Sequence, residues 1–300
     1  MARSRMMIGS DFSPYSDQAI EVGLAWAEKM GFDPHVFHIN NSRHSNDGIA
    51  LLNEQQHYNV EGIFEVLKKD LKNKLTEQVH ETMASNHSSV SLEVLFGKRS
   101  ELIPKRISEL NAKLLVLGSL GQGGLEDIFL GGTTERAIRS VQCPILAVRD
   151  LRAKAPKKIL WASELGPNSD FVFEWVAYVA ETFKAKVHVV HMLEDNKEAR
   201  GLENEEERWN YLQEKRAELA PKLLEYEEKI SQRAIKGSCS LELSPKGHIQ
   251  KGLAKMIEQS DADLVVLGTH GRQGLERFFM GSVAESLIHS VRRSFLIVKS

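Results

Sequence analysis

Cysteine is scarce: Cys143 and Cys239 are the only two in 300 residues. That excludes a disulfide framework and fits a reducing compartment. Net charge is nearly absent, with 39 Lys and Arg against 41 Asp and Glu, a balance of -2. No electrostatic case for nucleic acid or an anionic membrane follows from such a balance. Long apolar runs are missing, since none approaches the roughly 18 residues needed to cross a bilayer. The opening MARSRMMIGSDFS has basic residues but no apolar stretch behind them, so no signal peptide is expected. Aromatics are few, at 7%. These absences predict a cytoplasmic globular protein with neither nucleic acid nor membrane as partner. Its length exceeds one typical core and suits two domains.

What is present is a repeat. Gly118 to Val148 overlays Gly268 to Val298 without a gap. Gly118, Gly121, Gly124, Leu125, Glu126, Phe129 and Gly131 fall on Gly268, Gly271, Gly274, Leu275, Glu276, Phe279 and Gly281. A period of about 150 residues marks a tandem domain pair, not a short-repeat solenoid. The join is placed in the basic segment Arg152 to Lys158, giving domains 1–151 and 156–300.

Each half reads as strands alternating with helices. RMMIGS and KKILWAS are first strands, and each precedes a segment with helical apolar spacing. HVFHI and VHVVHML are second strands, and SLEVLFG and SLELSPKG third strands. Two long helical stripes differ between halves: Val60, Phe64, Leu67, Leu71 and Leu75, then Trp209, Leu212, Leu219, Leu223, Tyr226 and Ile230. Pro221 is expected to bend or split the second. The acidic ENEEER stretch before it reads as a solvated helical face. The alternation predicts an α/β fold, each half a five-stranded, mostly parallel, doubly wound sheet.

Ligands of such sheets sit beyond the C-terminal ends of the strands. The glycine-rich loop follows strand four, at that edge. Glycines let backbone N–H groups close on an anion, and the next helix points its positive end at the same spot. Ser282 adds a hydroxyl, and Arg272 is within reach of a phosphate held there. A Walker loop needs a Gly-Lys-Ser/Thr ending, which is absent. A dinucleotide fingerprint belongs after strand one, where this chain has DFSPYSD and ELGPNSD.

The pattern Gly-x2-Gly-x9-Gly-Ser/Thr, filled by Gly268, Gly271, Gly281 and Ser282, resembles the ATP-binding motif of the universal stress protein family. The likeness extends over both halves and is similar to that family's tandem members. It implies two Rossmann-like domains of the adenine nucleotide alpha hydrolase-like kind. It further implies an adenine nucleotide along the strand ends: ATP or ADP, with AMP a smaller option and magnesium accompanying ATP. The family's strand-one aspartate corresponds to Asp11 and, one methylene longer, to Glu164. Its strand-two position corresponds to Ile39 and Met192. In the first half Gly118, Gly121 and Gly131 match, but Gly132 stands where Ser or Thr is expected and Thr133 comes one place late. The second half is therefore the expected chief nucleotide site. The role implied is a stress-response regulator; the alternative is a nucleotide-independent scaffold. The resemblance also implies pairing of the halves through ILAV and FLIV, and a homodimer.

Other chemistry is set aside. His35 and His38, like His188 and His191, are three apart on strands, so their rings lie on opposite faces and do not share a metal. His270 is more plausibly a loop-stabilising or ligand-proximal residue than a general base. No nucleophile, base and orienting group form a series in the sequence, so catalysis beyond slow ATP hydrolysis is not expected. The extra substrate or flavin loops of related adenylating and electron-carrying α/β families are not seen.

Overall fold

A computed structural model describes residues 3–40, 60–82, 90–119, 131–193, 204–244, 248–269 and 281–299. These divide into two compact units, the first ending at Lys154 and the second opening at Ala155.

In the first unit the order is β1 (Arg5–Ser10), α1 (Pro14–Met30), β2 (Asp33–Asn40), α2 (Val60–Thr82), β3 (Ser91–Phe96), α3 (Arg99–Leu110), β4 (Ala112–Gly118), α4 (Gly132–Ser140) and β5 (Ile145–Val148). A 3-10 turn, Leu151–Lys154, closes it. The sheet order is β3-β2-β1-β4-β5, and every pairing is parallel. The second unit repeats this with β6 (Lys158–Ala162), α5 (Ser169–Phe183), β7 (Lys186–Leu193), α6 (Glu205–Gln232), β8 (Gly237–Leu243), α7 (Ile249–Ser260), β9 (Leu264–Gly268), α8 (Ser282–Ser290) and β10 (Ser294–Val298). Its order is β8-β7-β6-β9-β10, again parallel throughout. Strand order reverses direction between β1 and β4, and between β6 and β9. Those two crevices are where doubly wound sheets take ligands.

Central strands are apolar on both faces because helices cover both. Met6, Met7, Ile8, Leu114, Leu115 and Val116 are fully buried, as are Leu160, Val265 and Val266. α1 packs beside α2, and α3 beside α4. α1 starts where the Ser13 hydroxyl accepts from the Ser16 amide, with Pro14 in its first turn, and ends at Gly31 in the left-handed region. In the second unit Trp161, Phe173 and Tyr226 form an aromatic cluster that fixes α6 on the sheet, Tyr226 edge-on to Trp161 at 5.0 Å.

Three sequence expectations need correction. α6 runs unbroken through Pro221. Pro221 removes one backbone donor, but burial of Leu212, Leu223, Tyr226 and Ile230 on both sides of it holds the helix together. Leu67 in α2 and Trp209 in α6 are exposed, not part of the buried stripes; the inward residues of α2 are Leu75 and Val79. Third, β8 spans Gly237–Leu243, starting before the expected SLE, while Pro245, Lys246 and Gly247 lie outside the described residues. His35 pairs with Ser91, but His188 pairs with Ser238. The matching SLE triplets of the two halves are therefore not equivalent in space. Of the acidic stretch, Glu205, Glu206 and Glu207 form the exposed first turn of α6, with Asn204 capping the Glu207 amide at 2.8 Å. Among the described residues no helix is long and apolar enough to cross a membrane.

Candidate functional site

Each candidate mouth is built from the turn after the first strand, the end of the second strand, and the start of the helix after the glycine loop. The first-strand turns are constructed alike. Phe12 (φ 61°) and Leu165 (φ 53°) both hold the left-handed conformation, and neither is glycine. A bulky residue there is strained, and such strain is concentrated at functional turns. Both are held by the same device: the Phe12 amide donates to Ser10 Oγ, and the Leu165 amide to Ser163 Oγ, each at 3.1 Å. The second strand adds a histidine. His38 Nδ1 bonds the Ser10 carbonyl at 2.9 Å, and His191 Nδ1 the Ser163 carbonyl at 2.8 Å. The acceptor is a carbonyl, so Nδ1 carries the proton and donates. His38 also stacks on Phe12 at 4.3 Å. Burial lowers the His38 pKa, and Arg99 and Lys74 lower it further against the opposing Ser10 carbonyl and Asp11.

The long helix that follows strand two grips the same turn. Gln78 accepts from Ser10 Oγ at 2.5 Å and donates to Ser16 Oγ at 3.1 Å and Asp17 Oδ1 at 2.5 Å. Lys74, one turn earlier, lies over the Phe12 ring. In the second unit Tyr226 donates to Asp170, counterpart of Asp17, and Lys222, one turn earlier, donates to the Leu165 carbonyl at 3.3 Å. Sequence reasoning missed this pair of clamps. The signal was a lysine followed four residues on by a hydrogen-bonding side chain on both long helices. The rest of the two helices is too dissimilar to align.

The sequence-predicted residues are brought together at these edges. Asp11 sits in the first turn, its Oδ1 accepting from the Ser13 amide at 3.1 Å and hydroxyl at 2.5 Å. Glu164 takes the same place in the second turn and is exposed. Ile39 and Met192 are buried near the C-terminal ends of β2 and β7, one residue after His38 and His191. Gly118 and Gly268 end β4 and β9. Gly131 and Gly281 cap α4 and α8, and Ser282 is the first residue of α8. Gly121, Gly271, Arg272 and His270 lie outside the described residues. The ends of the two loops are tied in the same way: the Gly131 amide bonds the Ser119 carbonyl at 2.6 Å and the Gly281 amide the Thr269 carbonyl at 3.2 Å.

The glycines are not equivalent in what demands them. A Cβ on Gly118 would meet the Tyr15 carbonyl oxygen at 2.8 Å, so packing of β4 on α1 requires it. A Cβ on Gly268 would meet Val172 at 3.3 Å, a milder conflict. Gly281 differs. Its φ is -60°, open to any residue, and among the described residues a Cβ there would approach only the Thr269 carbonyl, at 3.9 Å. Neither its backbone conformation nor the described residues around it call for glycine at 281. Among the described residues no side chain caps the N-terminus of α8 beside it.

The excluded metal pairs have other partners. His35 Nε2 meets Glu93 at 2.9 Å, and Glu93 also takes a two-pronged contact from Arg106. His188 Nε2 meets Ser240 Oγ at 3.0 Å. Cys143 is buried, and burial pushes the Cys239 thiol up to about 12, away from reactive thiolate.

Comparison with known proteins decides the family. The sequence profile of the universal stress protein family matches twice, over residues 2–149 and 156–299. The chain belongs to the universal stress protein family. Among its relatives is the universal stress protein Rv2005c of Mycobacterium tuberculosis, 25% identical over 223 residues, covering 72% of this chain and 71% of that protein. A putative universal stress protein of Staphylococcus aureus is 31% identical over 147 residues, 48% of this chain and 84% of that one. In structure, a universal stress protein from Archaeoglobus fulgidus superposes with a TM-score of 0.67 at 18% identity, over 98% of each chain. A putative universal stress protein from Pseudomonas aeruginosa gives 0.62 at 17% identity, over 99% of this chain and 93% of that one. At such identities the structural likeness speaks for the fold.

Proposed function

We propose that this tandem universal stress protein binds an adenine nucleotide, ATP or ADP, at the mouth of its second unit, and acts as a nucleotide-responsive regulator in the stress response. The observation that carries the reading is Gly281: a glycine at a helix start that neither its φ nor, among the described residues, its neighbours require. Phosphate oxygens would lie there, held by the first amides of α8 and the Ser282 hydroxyl, with magnesium accompanying ATP. The adenosine end would lie toward Glu164 and Met192. No group placed to activate water stands out among the described residues of the mouth, so the role is binding, with hydrolysis slow at most.

Isothermal titration of the full chain with ATP tests this. The wild type is expected to bind. Gly281→Val should lose the second-unit site while melting at the wild-type temperature, because its backbone conformation accepts valine. Unchanged binding by Gly281→Val and by Ser282→Ala would refute the site.

A second reading, a nucleotide-independent scaffold, is favoured by apolar side chains on α6 that face solvent, Trp209 at 54% and Leu224 at 57% exposure. It would gain if saturating ATP produced no thermal shift; a ligand at a hundredfold excess over its Kd stabilises by about 2.7 kcal/mol.

A further inference from the structure

The inference rests on the nucleotide reading above and concerns the first unit. There the repeat supplies Gly132 in place of Ser282, so the first hydroxyl of the helix is lost. Thr133, one residue on, is partly buried and accepts a hydrogen bond from Arg99 Nη1 at 3.4 Å. Arg99 is the first residue of α3; the first residue of α7, its counterpart, is Ile249. The second unit thus has a hydroxyl at the helix start and no arginine here, and the first has the reverse.

Arg99 is partly buried, and the neutral Thr133 hydroxyl is the one partner it has among the described residues. A guanidinium presents five donors in a rigid fork and stays charged at every physiological pH. Partly buried, with no carboxylate paired to it among the described residues, it has donors and charge to offer an anion. The surrounding groups belong to the mouth already described. Arg99 and Lys74 both act on His38 through space, as does Asp11. Lys74 stands over Phe12 in the first turn. The Thr134 hydroxyl donates to the Gly118 carbonyl at 2.8 Å, which locks the start of α4 to the end of β4.

We propose that Arg99 is the phosphate-contacting, specificity-determining residue of a second adenine nucleotide site in the first unit, replacing by charge the hydroxyl that Gly132 lacks. A site built on a guanidinium prefers the more highly phosphorylated ligand, ATP over AMP, and gains nothing from Arg99 with adenosine.

The test is calorimetric titration of the full chain with ATP, AMP and adenosine. The wild type is expected to hold two ATP per chain, and Gly281→Val one. Adding Arg99→Ala to Gly281→Val should weaken the remaining ATP binding by about tenfold or more, with adenosine binding unchanged. Arg99→Lys should recover part of the loss. Thermal melting of the unliganded Arg99→Ala variant at pH 8 should stay close to its parent, since among the described residues it gives up one long hydrogen bond to a hydroxyl. A Gly281→Val chain that binds no ATP overturns the first-unit site and leaves the second-unit reading standing. Equal loss of ATP and adenosine in Arg99→Ala, or no loss at all, overturns the assignment to Arg99. Two sites that persist in Gly281→Val contradict instead the placement of the second-unit site.

Discussion

The strain at Phe12 and Leu165 would be lost without residues that brace it, and His38 is one of these. It packs against Phe12 and donates from Nδ1 to Ser10, and burial and the nearby charges of Arg99 and Lys74 favour its neutral form. Its folded pKa lies below the ordinary histidine value of about 6.5, so the unfolded chain binds the proton more readily. The stabilisation is therefore complete above about pH 6.5 and declines as pH falls through that value toward the folded pKa. His188, lowered by burial, adds in the same direction. Melting temperature is expected to fall between pH 7 and pH 5, and His38→Asn should show a shallower fall than the wild type. Equal slopes in the two proteins would mean that His38 is not a buried neutral group.

Whole elements show what a sequence can and cannot disclose. The central strands were legible because burial on both faces demands unbroken apolar runs, and these survive in RMMIGS and LLVLG. The edge strand β8 was legible only in part: SLELSPKG marked a strand, but its start at Gly237 was missed, because a strand paired on one side tolerates GSCSLEL, which has little pattern. The SLE triplets that the two halves share sit two residues apart in their pairings. Helix α6 tells the complementary story: propensity argued for a bend or a split at Pro221, and tertiary burial kept it one helix. Pro221 is exposed, so its replacement by alanine forfeits little packing and restores one backbone hydrogen bond. Pro221→Ala should stabilise the protein by about 1–3 kcal/mol, read from the denaturant midpoint. A loss of stability would show that the proline shapes the helix to its seat.

At the scale of the molecule, duplication is the organising fact. Both units tie residue 131 or 281 back to the strand end, hold a left-handed residue beside a serine, and aim a histidine at the same carbonyl. The strand-end glycines Gly118 and Gly268 and the helix starts at Gly131 and Gly281 could be read in advance, because each recurs at fixed spacing. The clamps Lys74–Gln78 and Lys222–Tyr226, and the role of Arg99, could not, since they join residues distant in sequence through side chains that differ between halves. The same duplication makes the asymmetry informative: Asp11 against Glu164 and Gly132 against Ser282 mark two mouths kept in one geometry with different chemistry. The central claim, a nucleotide gathered at the second mouth, is tested most directly by a crystal structure of the full chain grown with saturating ATP. Density for phosphates against Gly281 and Ser282, with the adenosine end beside Glu164 and Met192, is the predicted result; an empty second mouth in that crystal would contradict it.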